Sequence, residues 1–320
     1  MRNLQSSART KRRWDSGRNL ITSVRHAEIN SPIVTVGVCV KDCENFVENA
    51  IKSIAEQNLP NEFMEIILVD DGSTDRTLAV VENQIRKMKL TAKIIRQEWK
   101  GLGVARNRVV NNSAGKYIVW VDGDMQLSRD FVRVQVEFME KNPHVGVAKG
   151  SYGMYSANIV STLENMEFVT TNCRLMRRLD PNPFGTGGSI YRVEAIKEVG
   201  GFEDSIKGSG EDADAEYRIR RAGWLLDTTS AVFFEMRRNS WRSLWEEYLW
   251  HGKGGTGILK RKSFTSPYKL LPPVAFLMES IRIVVAYKLT RRKIALLLPL
   301  HYVFKRAAWS AGLLQSLLHS

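Results

Sequence analysis

"GVARNRVVNNSAGKYIVWVDGD" (103–124) reads as a helix that Gly115 stops, followed by a run of β-branched and aromatic residues too short for a second helix. That run is a buried strand, and it delivers two carboxylates, Asp122 and Asp124, to its open end. A single acid there suits a turn. Two acids one residue apart repel each other unless a cation sits between them.

The same alternation runs backwards from this point. "IVTVGVCV" (33–40), "EIILVD" (65–70) and "AKIIRQ" (92–97) are strand-like. "FVENAIKSIAEQ" (46–57) is helical, with Phe46, Val47, Ala50, Ile51 and Ile54 on one face. "DRTLAVVENQIRKM" (75–88) is a second amphipathic helix. Strands and helices joined by short loops predict an α/β fold, a parallel sheet with helices on both faces. In such sheets a ligand binds beyond the carboxyl ends of the strands.

Those ends are acidic. Asp42 follows the first strand, Asp70 and Asp71 the second, and Asp122, Asp124 and Gln126 the fourth. Lys100 and Arg106 stand after the third, where phosphates or a base would be met, although each also suits an ordinary solvated charge. Asp71-Gly72-Ser73-Thr74 alone equally suits a turn and helix cap. Together, several acids on one rim need a cation or hydrogen-bond donors to coexist. Oxygen ligands from Asp122, Asp124 and Gln126 suit Mg²⁺ or Mn²⁺, which keeps positions open for phosphate oxygens. A carboxylate such as Asp71 can accept the imide N–H of a pyrimidine.

The 320 residues are 43% hydrophobic and 25% charged, which is ordinary, but the net charge of +13 favours an anionic partner. The surplus is concentrated in residues 2–25 and 260–306 rather than on a recognisable nucleic-acid motif, so no nucleic acid is expected. Residues 1–31 read as a basic disordered tail without a secretory signal. The three cysteines, Cys39, Cys43 and Cys173, form no Cys-x-x-Cys pair and read as reduced thiols.

Four blocks carry a resemblance. "VTVGVCVKDCENFVENAIKSIAEQ", "EIILVDDGSTDRTLAVV", "GLGVARNRVVNNSAGKYIVWVDGD" and "GTGGSIYRVEAIKEVGGFED…GEDADAEYRIRRAGW", in that order over roughly 32–235, resemble a family 2 glycosyltransferase with the GT-A fold. The resemblance implies a Rossmann-like, mainly parallel sheet over 32–257. It also implies a nucleotide-sugar donor, UDP- or GDP-linked, and inversion at the sugar. Asp122-Gly123-Asp124 matches the family's metal-binding D-x-D, and Asp42 and Asp71 its nucleotide-binding acids, with Asp70 adjacent. Glu211-Asp212 matches its E-D motif, whose Asp is the general base, so Asp212 takes the catalytic role with Glu211 in support. Helix-dipole stabilisation alone also accounts for acids at that helix start. Asp214 and Glu216 read as helix surface, Asp214 being a reserve base.

Beyond this, "WRSLWEEYLWHGKGGTG" (241–257) places Trp241, Trp245 and Trp250 in the core or against sugar, core being expected for at least two. Its glycines read as a mobile loop over a diphosphate with Lys253 as clamp. His251 reads as an additional metal ligand or a structural histidine. The Q-x-x-R-W pattern of processive members is missing. Residues 258–320 mix apolar stretches with Arg and Lys, and no stretch is uninterrupted enough to span a bilayer. They predict amphipathic helices on an anionic membrane surface, at its cytoplasmic face, peripheral or monotopic. A helical pair packed on the catalytic domain, an oligomer interface and a hairpin into the bilayer are the alternatives. The acceptor expected is then lipid-linked or a membrane-proximal glycan. Rival readings are a sugar-phosphate nucleotidyltransferase, whose glycine-rich Arg loop "VKDCENF" lacks, and a catalytically silent glycan- or nucleotide-binding relative.

Overall fold

Every residue of the first strand, β1 (Val34–Val40), is buried, because the sheet is covered on both faces. The computed structural model describes residues 32–154, 157–173, 184–206, 209–260 and 272–318; the tail expected over 1–31 lies outside them. After β1 come α1 (Val47–Ala55), β2 (Met64–Asp71), α2 (Thr77–Lys87), β3 (Ala92–Gln97), α3 (Leu102–Asn112) and β4 (Tyr117–Asp122). These match the sequence expectation to within about two or three residues at most ends, which is the ordinary uncertainty of element boundaries. Then follow β5 (Met125–Leu127), α4 (Phe131–Lys141), β6 (Val145–Tyr152), α5 (Ile159–Thr171), β7 (Ser189–Arg192), α6 (Val193–Glu198), α7 (Glu211–Arg221) and β8 (Leu225–Glu235). Among the described residues three long helices follow: α8 (Trp241–Lys260), α9 (Pro272–Thr290) and α10 (Leu298–Leu318), with a short 3₁₀ turn, Lys293–Leu297, between the last two.

Among the described residues the sheet has eight strands in the order β3-β2-β1-β4-β7-β6-β8-β5. It is parallel only from β3 to β4 and between β6 and β8; β4–β7, β6–β7 and β5–β8 are antiparallel. The expected mainly parallel sheet is therefore a mixed one. The parallel half follows from the strand–helix alternation. The antiparallel half arises because β5, β7 and β8 meet distant strands, and no local periodicity reports such pairings.

One close approach positions the site. A Cβ on Gly37 would lie 2.7 Å from Val109 and 3.0 Å from Trp120, so the glycine lets α3 seat tightly on β1 and β4. Val109 and Val110 are buried there, and the same helix carries Arg106 to the end of β4.

The C-terminal helices pack onto this body. Ala286, Ala295 and Leu298 bury against Leu163 and Met166 of α5. Helices α8 and α10 cross at a glycine pair, Gly252 and Gly312, each of whose missing Cβ would overlap the other helix's backbone. The expected glycine-rich mobile loop is thus part of α8, where small residues serve helix crossing. Lys305 and Arg282, expected at a headgroup surface, are buried; Lys305 Nζ lies 2.5 Å from Glu164 Oε1 and 2.8 Å from Glu167 Oε2. The reason is electrostatic: two buried acids on α5 need a cation. No helix among the described residues is long and apolar enough to cross a membrane.

Candidate functional site

The rim at the ends of β1 and β2 is a hydrogen-bonded scaffold. Asp42 sits in the left-handed region, φ 46°, and is exposed. Its Oδ1 accepts from the Thr74 amide at 2.7 Å, and that bond, with Lys41 beside it, holds its carboxyl below the ordinary range. Asp70 accepts from the amide and hydroxyl of Ser73, fastening the turn after β2. Asp71 is buried, and its two oxygens accept from Gln97 at 2.7 Å and from the amides of Lys100 and Gly101 at 2.9 and 3.0 Å. It therefore anchors the loop after β3, which displays Lys100 and the exposed Trp99 on the rim.

At β4 the chain turns through Gly123, whose missing Cβ would lie 2.7 Å from Cys43 Sγ. Asp122 keeps 39% of its side chain exposed. Asp124 is half-buried, its carbonyl accepting from Met236 N at 2.9 Å, and its carboxyl is pushed up to about 6 by burial and then by the charge of Asp122. Such mutual repulsion is what a bound cation relieves, and two hard carboxylate oxygens suit Mg²⁺ or Mn²⁺. Gln126 lies on β5, partly buried, paired with Phe234.

The opposite wall is the start of α7 and the loop before β7. Arg106 is buried and touches Glu211; it also lies 4.0 Å from Asp122 and 4.0 Å from Asp212. One guanidinium thus joins the acids of β4 to those of α7. It is not a free cation waiting for phosphate, because burial beside three acids commits its charge to them. Glu211 is buried, and burial raises its carboxyl while Arg106 opposes the rise. Asp212 retains 25% exposure and is the acid of this pair open to a substrate.

Gly185–Gly188 runs between the two walls. Gly185 and Gly188 have φ of 74° and 71°, a region that strongly favours glycine. A Cβ on Gly185 would stand 3.3 Å from Asp212 Oδ2, and one on Gly187 would overlap Asp122 Oδ2. The Thr186 amide points at Asp212 Oδ2, 3.4 Å away. Buried Lys149 donates to the carbonyls of Gly185 and Gly187, and Gln135 donates to that of Gly188 at 3.2 Å. Sequence reasoning missed Lys149, Gln135 and Glu216. Glu216 is not helix surface: it is buried and accepts from Phe184 N at 2.6 Å and Tyr191 Oη at 3.0 Å. Three acids earlier in the same helix hid it; its neighbour Asp214 pairs with Arg218 at 2.9 Å.

His251 does not join Asp122 and Asp124. Among the described residues the metal-ligand groups that converge within 4.8 Å are Glu164, Glu167 and His301, and Lys305 already neutralises them. His251 Nδ1 instead lies 3.2 Å from Ser209 Oγ, just before Glu211, and burial lowers its basicity. Lys253 is exposed on α8. None of the three tryptophans is buried: Trp241 and Trp250 are exposed and Trp245 is partly so, Trp241 and Trp245 meeting Phe304 of α10 edge-on at the margin of the helix crossing.

Comparison with known proteins agrees with this architecture. The model of Glycosyl transferase family 2 matches residues 35–200, just over half of the chain. An uncharacterized glycosyltransferase of Haemophilus influenzae is 28% identical over 174 residues, 53% of this chain and 66% of that protein. The poly(ribitol-phosphate) beta-N-acetylglucosaminyltransferase TarS of Staphylococcus aureus is 26% identical over 159 residues, 48% of this chain and 26% of that protein. The match thus spans less than two thirds of these relatives' own lengths. The mannosyltransferase PcManGT from Pyrobaculum calidifontis, solved with GDP-Man and Mn²⁺, superposes with a TM-score of 0.63 at 19% identity, covering 91% of this chain and 89% of that one. The likeness is one of fold.

Proposed function

The chain belongs to glycosyl transferase family 2, and from that premise we propose that it transfers a sugar from a nucleotide diphosphate sugar to a hydroxyl of a lipid-linked or membrane-proximal glycan, with inversion. The observation that carries this is the convergence of Asp122 and Asp212 on one guanidinium, Arg106. It sets a cation-binding strand end opposite an open carboxylate, across a loop of glycines. A metallated sugar nucleotide and an acceptor hydroxyl fit such an arrangement. The relatives' names and the GDP-Man and Mn²⁺ of the mannosyltransferase support the donor class.

Asp122 and Asp124, with Gln126 beside them, would hold Mg²⁺ or Mn²⁺; when bound, the ion neutralises the diphosphate and makes it a better leaving group. Asp42 and the Asp71-anchored loop border the nucleotide end. Asp212 accepts the proton of the acceptor hydroxyl as that oxygen attacks the anomeric carbon, and a single displacement inverts the centre. Glu211 is too buried to meet a hydroxyl; it fixes Arg106, which in turn lies 4.0 Å from Asp212. The glycines of the Gly185–Gly188 loop bring backbone close to both acids, where it would border the sugar.

The test is thermal stabilisation by UDP and GDP with and without Mn²⁺. One nucleotide is expected to stabilise only with the metal, by about 2.7 kcal/mol at a hundredfold excess over Kd, and Asp124→Ala abolishes the effect. Asp212→Asn keeps the nucleotide response and loses donor turnover by roughly 10²–10⁴-fold. Stabilisation by neither nucleotide, or an undiminished response in Asp124→Ala, overturns the reading.

A further inference from the structure

The burial of Lys305 and Arg282 removes two cations from any outward role and isolates a smaller surface. At the corner where α9 turns into α10, Lys288, Arg291, Arg292 and Lys293 are all exposed. Interleaved with them, Leu289, Leu296, Leu297 and Leu300 are 50%, 67%, 40% and 61% exposed. The corner's inner apolar residues, Ala286, Ala295 and Leu298, are already spent on α5, so the four leucines are a second, outward apolar set. Arg291 holds φ 57°, a strained conformation for a non-glycine residue, at the point where α9 ends. No acidic residue occurs between 280 and 320.

We infer that this α9–α10 corner is a docking surface for an anionic lipid bilayer, the leucines entering the acyl boundary and the four cations meeting headgroup phosphates. Charge decides between occupants. A second copy of the chain set against the same corner faces four cations with four more, whereas an anionic surface neutralises them. Shape agrees, since an apolar set flanked by Lys and Arg on a helical turn is what an interfacial segment needs. The corner is also joined to the site. From Leu300, α10 runs through Lys305, clamped to α5, to Gly312, about 18 Å further along the helix, where it crosses Gly252 beside His251. Docking therefore holds the acceptor side of the rim at a set height above the lipid. This deepens the proposed acceptor class but is read without catalysis.

The experiment uses the full chain and sedimentation with phosphatidylcholine vesicles with and without phosphatidylglycerol. Binding is expected only to the anionic vesicles, weakening as salt rises. Lys288→Glu/Lys293→Glu is expected to lower vesicle affinity at least roughly thirty-fold. Leu296→Ser/Leu300→Ser lowers it at unchanged charge. Both variants keep the wild-type melting temperature and nucleotide response, which separates failure here from failure of the transferase reading. Equal binding to neutral vesicles, or wild-type affinity in either folded variant, overturns the inference. So does a concentration-dependent dimer that the leucine variant dissolves.

Discussion

Arg106 and Glu211 form a buried ion pair, 105 residues apart in the chain, and that pair ties the strand-end acids to the helix-start acids. Arg106 also lies 4.0 Å from Asp122 and from Asp212, whereas Arg106 is what opposes the rise that burial imposes on Glu211. Arg106→Ala leaves Glu211 buried and unpaired and is expected to cost about 3–5 kcal/mol of stability. The double variant Arg106→Met/Glu211→Gln recovers much of that loss in denaturant melts but not the turnover, because Asp212 and Asp122 lose the charge between them. Full turnover in the double variant would reduce the pair to a structural element.

Gly187 is the tightest point of the loop. Its replacement by Ala directs a methyl group at Asp122 Oδ2 and the Met125 sulfur. Gly187→Ala is expected to weaken metal-dependent nucleotide binding at least about tenfold, because the end of the Asp122 side chain must swing aside to admit the methyl group, at a stability cost of about 1–3 kcal/mol. Titration calorimetry with nucleotide and Mn²⁺ measures this, and an unchanged Kd would refute it.

Burial pushes the Glu216 carboxyl up to about 7, with Asp212 adding to the rise. The native state therefore holds this proton more tightly than the unfolded chain does. Its stabilising contribution is complete below about pH 4.5, the unfolded value, and is lost as pH rises through about 7. The loss is at most roughly 3 kcal/mol. Chemical denaturation of wild type and Glu216→Gln between pH 5 and 8 is expected to show a decline in the first that the second lacks; parallel profiles would contradict it.

The α5–α10 clamp has the opposite sign. Burial works against the Glu167 charge, but Lys305 and His301 outweigh it and hold the carboxyl well below its ordinary value. That contribution is present above the unfolded carboxylate range and fades as pH falls below it. Lys305→Ala strands Glu164 and Glu167 and is expected to destabilise by about 3–5 kcal/mol. Lys305→Met with both glutamates changed to Gln restores most of it. Equal melting of Lys305→Ala and wild type at pH 7 would show the clamp to be energetically idle.

Read alone, the chain determined the order and kind of its first seven elements, the strand end bearing Asp122-Gly123-Asp124 and the helix start bearing Glu211-Asp212. Each is a local matter: a buried strand shows as an unbroken apolar run, an amphipathic helix as a stripe, a turn as its Gly, Asp and Ser. Tertiary structure alone decided the antiparallel half of the sheet, the commitment of Arg106 to three acids, and the burial of Glu216, Lys149 and Lys305 among residues that look alike on paper. The sequence pattern of charge says nothing about burial when the neutralising partner comes from a distant segment. Lys305 finds Glu167 138 residues away, so only the packed chain separates the cations that hold the protein together from those at the α9–α10 corner that face outward.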